Sequence, residues 1–139
     1  MRLTAFATLR DRHPDLRALI DALETEVVRI VSGDRNAIID DRVLSDRLRL
    51  RTDREEDDLA LLLADLVAQD ALATRVFWKC ARGLGTSAEA RSIPDLPASL
   101  ECDRCGEEHT FSADYLDMQF LPTHSLVGDI ESNPGGPAL

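Results

Sequence analysis

Residues 40–72 read DDRVLSDRLRLRTDREEDDLALLLADLVAQDAL, two leucine-rich amphipathic stretches separated by a polar turn. In the first, Asp40 or Asp41 is placed to cap a helix running to about Leu50, with Val43, Leu44 and Leu48 expected inward. The second opens with Thr52-Asp53-Arg54-Glu55. This is the capping-box pattern, in which the Thr oxygen accepts from the third amide and the Glu reaches back to the cap. Leu59, Leu62, Leu63, Leu66 and Val67 then fall on one stripe at helical spacing. That helix is expected to end near Gln69-Asp70.

Upstream, Pro14 suits the first helical position. Leu16, Leu19, Ile20, Leu23, Val27, Ile30 and Val31 recur at helical period as far as Gly33, predicting a helix over 14–32. Residues 1–13 show little periodicity and read as an N-terminal extension. Ala37-Ile38-Ile39 reads as a brief strand, and Val76-Phe77-Trp78 as a β segment closed by Cys80. Three helices, a strand between the first two and β structure after the third resemble a winged helix over residues 14–79. The spacing of 40–50 and 61–72 is similar to helix-turn-helix sequences. The resemblance implies a three-helix core, with the third helix presented to the major groove in DNA-binding members.

Charge argues against that last use. The chain of 139 residues has 16 basic and 26 acidic side chains and a net charge of −10, room for one ordinary compact domain or a smaller core with an appendage. Residues 52–72 alone carry −6, with Asp53, Glu55, Glu56, Asp57, Asp58, Asp65 and Asp70 against Arg54. A helix so charged is repelled at every phosphate and gains no counterion release. Arg42, Arg47, Arg49, Arg51 and Arg54 form a basic strip just before it, either a solvated face paired with neighbouring Asp residues or a contact for an acidic partner or nucleic acid. Residues 34–51 net only +1. No stretch approaches the roughly 18 apolar residues of a membrane span, and the N-terminus lacks a long apolar signal core. A cytoplasmic location without membrane association is expected.

Cys80, Cys102 and Cys105 are an odd set, which disfavours a disulfide framework. Cys102-x2-Cys105-Gly106 is the most specific motif in the chain. Thiolates two residues apart on a tight turn can share one Zn²⁺ at about 2.3 Å, and the glycine lets the backbone turn beneath the metal. Cys80 is placed to add a third thiolate. Residues 80–124, with strands expected at 98–101, 109–111 and 116–121, are similar to a zinc ribbon. The pattern departs at Cys80-Ala-Arg-Gly83, where a second cysteine is missing. His109 is the preferred fourth ligand; His124, Asp103 or a water are the alternatives. Free buried thiols are the plain reading, and a redox pair lacks its usual βαβ setting. Phe77 and Trp78 beside the knuckle read as ribbon core, or else as an exposed anchor. Residues 81–98 read as a long loop and 125–139 as a flexible tail. Gly128-Asp129-Ile130-Glu131-Ser132-Asn133-Pro134-Gly135 is similar to the viral ribosome-skipping peptides, and the match breaks at Gly136.

No glycine-rich phosphate loop, Gly-x-Ser-x-Gly elbow or His-Glu-x-x-His is present. The expected fold class is α+β: a three-helix winged-helix-like domain followed by a small β-rich zinc-ribbon-like segment. Combinations of this kind resemble transcription-factor subunits and small adaptors of bacterial regulatory or defence systems. The expected function is a non-catalytic adaptor with a protein partner and one structural Zn²⁺ held by Cys80, Cys102, Cys105 and His109. The alternatives are a DNA-binding regulator using the Arg42–Arg54 strip and, more distantly, a zinc-dependent hydrolase with Glu107 or Glu108 beside the metal.

Overall fold

The computed structural model describes residues 3–79, 86–101, 106, 108–110 and 116–132. Its elements run α1 (Thr4–Arg12), α2 (Arg17–Gly33), β1 (Ile39–Asp40), α3 (Asp41–Arg47), α4 (Asp53–Ala68), β2 (Leu72–Lys79), β3 (Thr86–Ala90), β4 (Ser99–Glu101), β5 (Glu108–Thr110), β6 (Leu116–Pro122) and α5 (His124–Glu131). The fold is mixed helix and sheet. Strands hydrogen-bond in the order β1-β6-β2-β3, and β4 pairs with β5 in a separate two-stranded sheet. Two compact units result: Met1–Ala73 with Phe120–Leu139, and Thr74–Gln119. The chain leaves the first unit along β2 and re-enters it along β6.

The core of the first unit follows the helical periodicity. Ile20, Leu23, Val27, Val28 and Val31 of α2 are buried, as are Leu44 of α3 and Leu59, Leu62, Leu63 and Leu66 of α4. Asp40 caps α3 by accepting from the Arg42 amide. Thr52 and Glu55 form the reciprocal capping box at α4. Val43 was expected inward, yet it is 51% exposed. A seven-residue α3 has room for little more than one inward anchor, and Leu44 takes it.

Three expectations are corrected. Residues 4–12 are a helix that belongs to the core, with Leu3, Phe6 and Leu9 fully buried. Its polar-looking Arg10 turns inward: Nη2 donates to Glu24 Oε1 at 2.6 Å and Nε to Asp21 Oδ1 at 2.9 Å. Glu24 Oε2 accepts from the Leu3 amide at 2.9 Å, so one carboxylate ties the start of α1 and its Arg to α2. Residues 81–98 hold more than a loop, because β3 pairs antiparallel with β2 (Val76↔Ala90, Phe77↔Glu89, Trp78↔Ala88) and a 3-10 turn follows at Ile93–Asp95. The start of the tail is also ordered. Thr123 caps α5 by accepting from the Leu126 amide, and Leu126 and Ile130 are buried. Residues 133–139 lie outside the described residues.

A second polar anchor holds α1 to α4. Arg12 Nη1 donates to Asp65 Oδ1 at 2.7 Å, Gln69 Nε2 donates to the same oxygen at 3.0 Å, and His13 Nε2 lies 3.1 Å from Oδ2. Burial alone pushes the Asp65 carboxyl up. The hydrogen bonds from His13 and Gln69 and the charge of Arg12 outweigh it and hold the group below its ordinary value.

Two outcomes follow for this unit. Phe6→Ala is expected to lose about 3–5 kcal/mol, the cost of emptying a buried aromatic site, read by urea denaturation; a surface extension would lose almost nothing. A carboxyl held low in the folded state stabilises above its unfolded pKa, about 3.9 for Asp, and loses that contribution as pH falls through the folded value. Asp65→Asn is therefore expected to lower stability at neutral pH and to flatten its decline below about pH 4, measured by thermal melts from neutral to acid pH.

Candidate functional site

The expected metal ligands fall mostly outside what the structure describes. Cys80, Cys102 and Cys105 lie outside the described residues, as do Asp103 and Glu107. His109 has its backbone in β5 opposite Leu100, and its side chain is likewise outside the description. Among the described residues no group of three or more His, Cys, Asp or Glu is arranged to hold a metal ion. What is described is the frame of the motif. Ser99↔Thr110, Leu100↔His109 and Glu101↔Glu108 pair as an antiparallel hairpin, with Cys102 to Glu107 in its connection. Gly106 has φ +70, a backbone region that side-chain-bearing residues enter at a cost. The strands on either side and the left-handed glycine are what the structure describes of this segment. His124, the alternative ligand, is the exposed first residue of α5.

The aromatic residues beside the motif do not form an open anchor. Trp78 is 1% exposed. Phe77 is half-buried, with the Arg75 guanidinium 5.2 Å from its ring centroid, and Arg75 also pairs with Glu89.

The strip that precedes α4 divides into two kinds of arginine. Arg47 Nε donates to Glu26 Oε2 at 3.0 Å, and Arg29 Nη2 donates to the same oxygen at 2.9 Å. Burial raises the Glu26 carboxyl, but these two guanidinium groups outweigh it and hold the group below its ordinary value. Arg42 is also engaged. Arg49, Arg51 and Arg54 are exposed and make no ion pair with a described residue. Arg49 occupies the position after the α3 cap with φ 58. Glycine is the usual residue there, and a left-handed residue with a side chain costs roughly 1–2 kcal/mol. No periodicity or spacing in the sequence signals that conformation.

The outward face of α4 is acidic at its beginning and apolar beyond. Asp53, Glu56 and Asp57 are exposed in its first turns, followed by Ala60, Leu61, Ala64 and Ala68. Leu61 is 50% exposed. A cleft of about 390 Å³ lies elsewhere in the same unit, lined among others by Thr4, Gln69, Ser125 and Asp129. Its polar groups are largely committed to one another. The Thr4 amide donates to Asp129 Oδ2 at 3.0 Å, and Gln69 Nε2 donates to the Ala5 carbonyl at 3.2 Å.

No family model matches the chain, and the searches of curated proteins and of solved structures return no significant match.

Proposed function

We propose that the chain is a zinc-stabilised interaction module, a winged-helix-like domain with a zinc-ribbon-like segment, that binds a protein partner through the exposed surface of α4. The observation that carries this reading is the character of that surface. The helix that follows the α3 turn offers Asp53, Glu56 and Asp57 and then Ala60, Leu61, Ala64 and Ala68. A phosphate backbone is repelled by the first set and gains nothing from the second. A protein surface uses both, because apolar contact supplies affinity and charge supplies orientation. Burial of Trp78 and the guanidinium over Phe77 make the aromatic pair a poorer contact than α4.

The order α2, β1, α3, α4 and the β2–β3 hairpin supports the winged-helix reading; β6, between β1 and β2 in the sheet, has no counterpart in that expectation. The hairpin around Cys102 and Cys105 and the left-handed Gly106 support a knuckle holding structural zinc, with Cys80 and His109 as the further ligands. A closed four-ligand site supplies folding energy to the segment that holds it. In this reading the module is an adaptor without catalytic activity. The specific support for the second reading, a DNA-binding regulator, is that Arg49, Arg51 and Arg54 make no ion pair with a described residue.

Two measurements separate these readings. Protein purified without chelator is expected to contain one zinc per chain, and a Cys102→Ser/Cys105→Ser variant to contain none. Metal-free parent protein would remove the zinc site. Duplex DNA at low salt is expected to show no retardation; retardation that weakens steeply as salt rises would favour the regulator over the adaptor.

A further inference from the structure

We draw no further inference here: the strongest candidate, the cleft between the start of α1, the end of α4 and α5, has its Thr4 amide already bonded to Asp129 and its Gln69 amide to the Ala5 carbonyl, and nothing in the structure shows what would occupy it.

Discussion

The pairing of Arg10 with Glu24 is the constraint on which the first unit depends. Both side chains are almost fully buried, at 6% and 7% exposure. An ion taken out of water without its partner costs several kcal/mol, so α1 and α2 are stable in this arrangement only together. Glu24 also accepts from the Leu3 amide, which fixes where α1 begins and with it the burial of Leu3, Phe6 and Leu9. At the other end of α1, Arg12 and His13 meet Asp65 of α4. Two acidic side chains, one on α2 and one on α4, thus hold a nine-residue helix that would be marginal alone.

That arrangement also explains what was readable in the sequence. The capping box at Thr52–Glu55 and the leucine stripe of α4 state their structure locally, and both stand where periodicity places them. The signal for α1 was divided between distant residues. Leu3, Phe6 and Leu9 make a short apolar spacing, but Arg10-Asp11-Arg12 reads as its polar end until Arg10 is paired with Glu24. Glu24 lies in the apolar stripe of α2 and Asp65 among the leucines of α4, and a charge on an inward face is the sequence mark of a buried partner elsewhere. β3 was missed for a related reason: Thr86-Ser-Ala-Glu-Ala90 has few strand-favouring side chains, and its pairing with β2 supplies what local propensity does not.

Of the candidate site, the strands that frame the motif were legible and the division of the neighbouring surface was not. Cys102-x2-Cys105-Gly106 announces a turn between strands, and β4, β5 and the positive φ of Gly106 occupy the expected places. The arginine strip looked uniform as sequence. Three-dimensional neighbours divide it, because Glu26 on α2 reaches Arg47 across 21 positions of chain while Arg49, Arg51 and Arg54 have no such partner among the described residues. Separations of that kind are invisible to any local window.

The two halves of the α4 face carry different amounts of information about function. Asp53, Glu55 and Glu56 in the first turn complement the helix dipole, and Glu55 completes the cap, so folding alone accounts for acids there. Ala60, Leu61, Ala64 and Ala68 have no equivalent explanation. They lie opposite the buried Leu59, Leu62, Leu63 and Leu66, and a solvated helix face of a strongly acidic chain ordinarily carries charge. Alanine keeps such a face shallow and favours the helix, and Leu61 adds an apolar projection at its centre. In the proposed interaction the acids would orient a partner and repel polyanions, and the uncharged second half would gain most from being covered.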